Sequence, residues 1–531
     1  LGRITGASFP LVEATPGTLM QALPAIVLGE FDDKRANRLP VKLLAGDRDN
    51  YILVSDDRAL WIRGVNSRST LYGVYDLLET LGCQFIEPGI EVVPSSPTLE
   101  APALCRREIA GFALRNIFRN SEHFQKSAPF IFMDPEIHLP QIDWMAKRRL
   151  NHYEFYVDFY QYNLWEQYKG PVLDALLDRG FDLEVTHHSI HYFCPPDENH
   201  DFGEYGEETY QRHHPDWYLP SYEIGSRGRW QTRVELPEIR RVITRRFLEF
   251  AGRNPELKIL GLWPDDIPMN APIPGQAPAD GYIDFWNEIA GALAVDFPDK
   301  LLSGIAYFEL IEPPKVNKPA SNMHCWFCPI GRTFMYPLTN EQNKKNIGYM
   351  RGWIDAMPPN RVGSFEYYGW TFPYLPLREY MRDELRLYRE MGLGGIYGWS
   401  GFGLNIMGRE YRYALDLFAL SRFLWNPDAE LRPLEEQWAS AVYAGSAPEV
   451  LDFYDLMRTE QRAEREQGLY SSFEWINLDL VHRGQAILAR ARSKAATPEI
   501  TRRVDFLEKH LCHGATAEVW REGPPTRFGV F

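Results

Sequence analysis

At 531 residues the chain is too long for one small core, so two or three domains are expected, one of them large enough to be a barrel. The formal net charge of −15 excludes broad affinity for nucleic acid, whose phosphates it would repel. No apolar stretch reaches the roughly 18 residues that a membrane-spanning helix needs, so no membrane partner is expected either.

The first residues, Leu1-Gly2-Arg3-Ile4-Thr5-Gly6, carry neither an initiator Met nor a signal-peptide pattern. A trimmed start and a removed leader both stay open, with the cytoplasm slightly favoured over export. Residues 25–29, 51–55 and 59–64 read as strands. Residues 69–82 read as a helix with a serine cap, apolar residues at helical spacing and a glycine stop. Residues 94–102, with three prolines and two serines, read as a linker. The expected divisions are a small α/β domain over 1–108, a barrel over 109–410 and a helical region over 411–531.

The N-terminal motifs Val54-Ser55, Leu60-Trp61-Ile62-Arg63-Gly64, Leu71-Tyr72-Gly73-Val74-Tyr75-Asp76-Leu77-Leu78-Glu79 and Leu81-Gly82-Cys83 carry a resemblance. They are similar to the non-catalytic domain that precedes the barrel in β-N-acetylhexosaminidases and α-glucuronidases. The resemblance implies a glycosidase barrel downstream.

Eight strand candidates follow, at 112–118, 152–158, 182–189, 259–266, 301–308, 323–327, 362–368 and 395–399, most of them separated by helical stretches. Alternation of strand and helix argues for a parallel sheet, and eight repeats argue for an α/β fold of the (β/α)8 TIM-barrel type. The fourth candidate is the most informative. Lys258-Ile259-Leu260-Gly261-Leu262-Trp263 is an apolar run that ends in Pro264-Asp265-Asp266, and the C-terminal ends of barrel strands are where chemistry is done. The seventh ends in Glu366-Tyr367-Tyr368-Gly369-Trp370.

Glycosidic cleavage needs a protonated carboxyl for the leaving oxygen and a second group that acts at the anomeric carbon. Asp266 as acid with Glu366 as nucleophile or base meets that need, and the adjacent Asp265 supplies a like charge that raises the acid's pKa. The alternative places one aspartate as a turn cap and pairs Glu366 with an arginine. Candidate sugar-binding groups are Asn151, His187, His188, Trp263, Trp326, Arg332, Tyr367, Tyr368, Trp370 and Trp399, since aromatic faces pack on sugar rings while polar tips bond hydroxyls. The high aromatic share, 14% with 15 Trp and 28 Tyr, fits that use or simply a large aromatic core. His187, His188 and His191 lack an accompanying carboxylate motif. Cys325-Trp326-Phe327-Cys328 has no second ligand pair and reads as buried thiols. No metal and no cofactor are expected, and activity should survive chelators.

A second resemblance covers residues 110–400. Thr186-His187-His188-Ser189, His213-His214-Pro215-Asp216-Trp217-Tyr218, Gln231-Thr232-Arg233-Val234-Glu235-Leu236-Pro237-Glu238 and Pro264-Asp265-Asp266 resemble a bacterial family first defined as a domain of unknown function. That family is similar to α-glucuronidases and includes the endo-β-N-acetylglucosaminidases of glycoside hydrolase family 163. A departure follows the paired acids, where Ile267-Pro268-Met269-Asn270-Ala271-Pro272 replaces a cysteine-rich turn. The resemblance implies hydrolysis of a hexosaminide-type or uronide-type glycan, either with two carboxylates or with the substrate's own 2-acetamido group as nucleophile. An α-glucuronidase-like exo-hydrolase and a non-catalytic carbohydrate-binding protein are the alternatives. A homodimer stays open.

Overall fold

The computed structural model describes residues 1–13, 24–29, 39–46, 48–100, 102–117, 135–156, 164–186, 188–195, 210–220, 230–264, 275–329, 331–333, 336–368, 375–398, 413–466 and 476–509. After a helical turn at Gly2–Thr5 comes a mixed sheet of β1 (Ala25–Leu28), β2 (Asn50–Ser55), β3 (Ala59–Gly64) and, after the hairpin β4 (Gln84–Glu87) and β5 (Ile90–Val92), β6 (Cys105–Ile109). The sheet order is β1-β3-β2-β6. Helix α1 (Ser67–Thr80) packs Tyr72 and Leu77 on it. Its cap is Asn66, whose side chain accepts the Ser69 N–H, and so the helix begins earlier than the expected serine cap. Gly82, at φ 93°, supplies the left-handed residue past its end.

Eight parallel strands form the second sheet: β7 (Leu114–Asn116), β8 (His152–Tyr156), β9 (Asp182–Thr186), β12 (Leu257–Gly261), β13 (Leu301–Ala306), β14 (Met323–Phe327), β15 (Val362–Glu366) and β16 (Gly395–Gly398). Between the third and fourth of them lies a small antiparallel pair, β10 (Tyr218–Pro220) and β11 (Trp230–Thr232). All eight expected strands are present, and the fourth, expected over 259–266, starts two residues earlier and ends at Gly261. Helices α2 (Pro135–Lys147), α3 (Gly170–Asp178), α4 (Pro237–Arg253), α5 (Pro278–Asp296), α6 (Lys344–Ala356) and α7 (Arg378–Met391) supply the crossovers; between β13 and β14 there is only the 3-10 turn Phe308–Leu310. The order β7-β16-β15-β14-β13-β12-β9-β8 is that of a (β/α)8 barrel. It closes between the first and second strands through Asn151, whose N–H donates to the Arg115 carbonyl at 3.2 Å while its Oδ1 accepts the Arg115 N–H at 2.9 Å.

The helical C-terminal region follows, with α8 (Ala414–Trp425), α9 (Leu431–Tyr443), α10 (Ala447–Glu466), α11 (Leu478–Ser493) and α12 (Pro498–Leu507). Its apolar faces, including Phe418, Trp438, Phe453 and Leu488, belong to the same continuous core as the barrel helices.

Two buried charge clusters tie the N-terminal sheet to the rest. Asp49 accepts from Arg115 at 2.7 Å, Ser69 at 3.0 Å and Asn151 at 3.1 Å, and it pairs with Arg68. Burial alone would raise its pKa, but the two guanidinium groups hold it well below the carboxylate range. Glu79 of α1 gathers Arg148 and Arg149 from the foot of the barrel with Arg422 of α8. Desolvation opposes its ionisation, and the three arginines bring its pKa down to about 2.

Because the folded pKa of Glu79 lies below its unfolded value, its contribution to stability is complete above about pH 4.5 and is lost as the pH falls toward about 2, a total of about 3 kcal/mol. The stability gap between the wild type and Glu79→Gln, read from urea titrations, should be widest at neutral pH and shrink through that window. A gap independent of pH would contradict this assignment.

Candidate active site

In a parallel barrel each strand points alternate residues to the lumen and to the helix layer. The register assigns these faces. Trp326 of β14 donates its indole N–H to Glu184 Oε1 of β9 at 3.0 Å and stacks on His152 of β8 at 5.6 Å, so all three side chains meet in the lumen. His152 Nε2 lies 2.9 Å from Glu184 Oε2. Gly363 of β15 gives the indole room, since a Cβ there would stand 2.2 Å from the ring. His324, two residues before Trp326 on β14, meets its ring edge-on at 4.6 Å. Glu154 pairs in register with Glu184 and is 1% exposed. Burial pushes the Glu184 carboxyl up, but His152 and the indole outweigh it and the pKa falls below the ordinary value. Burial takes the His324 imidazole down to about 3, which leaves it neutral.

Above this polar layer, Trp263 follows β12, with its indole nitrogen 3.4 Å from Ser303 Oγ and its ring edge-on to Phe365 of β15 at 6.0 Å. His188 packs on Trp263 and Tyr307, and its Nδ1 contacts the Pro264 carbonyl. The Tyr367 hydroxyl lies 2.9 Å from Cys328 Sγ. Trp263, His188, Trp326 and Tyr367 are thus brought to the barrel interior, where all four are buried. Asp265, Asp266, His187, Trp370 and Trp399 lie outside the described residues.

Four expected site residues stand elsewhere. Glu366 alternates with the lumen-facing Phe365 and points into the helix layer. Its Oε1 accepts from Ser364 at 2.6 Å and from Tyr388 of α7, its Oε2 accepts from Arg332 at 3.1 Å, and it has no exposed surface. The alternative weighed in the sequence, a carboxylate paired with an arginine, is the one observed. Arg332 bonds Glu366 and Glu384 of α7, and Tyr368 donates to Glu384 at 2.7 Å, so neither faces the lumen. Asn151 sits at the foot of β8, where the barrel seam and Asp49 occupy its amide.

The sequence reading missed the lumen carboxylates Glu154 and Glu184. Their signal was present as a period of two. Polar residues at 152 and 154, and at 182, 184 and 186, alternate with Tyr153, Phe155, Leu183 and Val185, which is a polar face on strands that a barrel buries on both sides.

The model of the family described as a domain of unknown function (DUF4838) matches residues 85–455. The chain belongs to that family. Among solved structures this DUF4838 chain is similar to a glycoside hydrolase family 138 enzyme targeting pectin rhamnogalacturonan II, with a TM-score of 0.55 and 10% identity over 92% of this chain and 78% of that one. It is also similar to a family 89 glycoside hydrolase from Clostridium perfringens in complex with 2-acetamido-1,2-dideoxynojirmycin, with a TM-score of 0.51 and 10% identity over 79% of this chain and 49% of that one. The chain therefore spans about half the length of the family 89 enzyme. At this identity the likeness is one of fold. No curated protein matches the sequence.

Trp326→Phe removes the indole donor from a fully buried carboxylate, which should cost about 1–3 kcal/mol in chemical denaturation. A loss below about 0.5 kcal/mol, the range of surface substitutions, would contradict the lumen bond.

Proposed function

We propose that the protein is a glycoside hydrolase whose reacting carboxyls are Asp265 and Asp266. The observation that carries this reading is the fourth barrel strand. It ends at Gly261, the chain then passes lumen-facing Trp263 to Pro264, and the paired acids come next in the sequence. That end of a barrel is where (β/α)8 enzymes assemble their sites. The glycosidase fold of the structural neighbours supports the same class, and the sugar ligands seen with the family 89 enzyme, 2-acetamido-1,2-dideoxynojirmycin and GlcNAc-alpha-1,4-galactose, support a glycan with a 2-acetamido sugar.

The outward position of Glu366 favours the substrate-assisted route over a two-carboxylate one. In that route the 2-acetamido carbonyl attacks the anomeric carbon and forms the new C–O bond. Asp265 orients the acetamido group and takes up positive charge from its N–H, while Asp266 donates its proton to the departing oxygen as the glycosidic bond breaks. Water then opens the cyclic intermediate, and Asp266 recovers its proton from that water.

A screen of aryl glycosides and oligosaccharides, with hexosaminides, glucuronides and neutral sugars side by side, should show turnover on 2-acetamido substrates. On these, Asp265→Asn and Asp266→Asn should each cut kcat by at least about 100-fold with little change in thermal midpoint. Cleavage of glucuronides alone would move the substrate class to uronides. Near-normal turnover by both variants would place the site elsewhere, and no turnover on any glycan would favour the binding-only alternative.

A further inference from the structure

The Glu366 cluster is costly to build and is not explained by packing alone. Arg332 lies on the loop that leaves the sixth barrel strand, and its side chain is 1% exposed. One guanidinium nitrogen bonds Glu366 Oε2 and Glu384 Oε2, both at 3.1 Å, and the other bonds Glu384 Oε1. Glu384 also accepts the backbone N–H of Leu338 from the same loop at 2.7 Å and the Tyr368 hydroxyl at 2.7 Å. A second clasp lies beside it. Asn343 accepts the Thr333 N–H at 2.9 Å and donates to the carbonyls of Thr333, Tyr336 and Pro337. One strand and one helix thus hold the loop through ions that cost several kcal/mol each to desolvate.

We propose that Arg332, clamped between Glu366 and Glu384, is a positioning lock. It fixes the loop after the sixth strand against strand seven and thereby sets where Tyr367 and Cys328 stand at the barrel mouth. The connection is short: Tyr367 follows Glu366 directly, and its hydroxyl meets Cys328, the first residue past the sixth strand. The proposal rests on the hydrolase reading only for its turnover readout.

Charge balance specifies the form of the lock. One guanidinium faces two carboxylates, so a single retained proton makes the buried cluster neutral. Burial raises the Glu366 carboxyl, Arg332 lowers it and Glu384 raises it again, with a net upward direction. A carboxamide at position 366 keeps the shape of the native group and an oxygen that accepts from Arg332. The Ser364 and Tyr388 hydroxyls can accept a hydrogen bond as readily as donate one.

The test compares Glu366→Gln, Glu366→Ala, Arg332→Lys and Arg332→Met in the full chain by amide exchange at Leu338 and by steady-state kinetics. Glu366→Gln should keep Leu338 exchange at the wild-type rate and kcat within about threefold. Glu366→Ala and Arg332→Met should speed that exchange by at least about tenfold and lower kcat by about 10–100-fold, with KM within about threefold. Arg332→Lys keeps the charge without the fork and should fall between, which preserves the test if the methionine variant does not fold. Unchanged Leu338 exchange in both Glu366→Ala and Arg332→Lys would overturn the lock. So would a loss of activity in Glu366→Gln above about 1,000-fold with normal exchange, because Glu366 would then act on the substrate itself. Altered exchange with no turnover on any glycan would support the lock and count against the hydrolase reading.

Discussion

A strand inside a (β/α)8 barrel is covered on both faces, so each charge placed on it must find its partners either in the lumen or under a helix. That constraint sorts the polar residues of this protein. Glu184, with the Trp326 indole and His152 beside it, belongs to the lumen. Glu366, bonded to Arg332, Ser364 and Tyr388, belongs to the helix layer. One position of offset along a strand separates a side chain that faces the lumen from one that packs under a helix.

The same constraint explains how the molecule divides its charges. The foot of the barrel uses Asp49 and Glu79 to collect arginines from elements far apart in sequence, which joins the N-terminal sheet to the barrel and to the helix that begins the C-terminal region. The upper part uses Arg332 to collect two glutamates around one loop. Between them lies a lumen with a polar layer where most barrels are branched and apolar, with Glu184, His152 and His324 packed around Trp326 and Glu154 in register with Glu184.

Much of this was legible in the sequence, and the part that was not has a definite cause. The eight strands could be read because short stretches rich in apolar and aromatic residues recur between turn residues and most alternate with helical stretches. The helix cap slipped from serine to Asn66 because the two residues stand three apart and both are good caps. The role of Glu366 could not be read from its place at a strand end. Its direction depends on the register that puts Phe365 across the lumen from Trp263, and register is fixed by neighbours remote in sequence. Asn151 was misplaced for a related reason: it precedes its strand, and its partners Asp49 and Arg115 come from two other parts of the chain.

The central claim is that sugar chemistry takes place at the lumen mouth beside the fourth strand and not at Glu366. A crystal structure of Asp266→Asn soaked with a 2-acetamido oligosaccharide tests it most directly. The account expects a pyranose ring at the C-terminal mouth of the barrel, against Trp263 and within hydrogen-bond distance of Asp265. A ring seated on any other surface, with the mouth free of sugar, would contradict it.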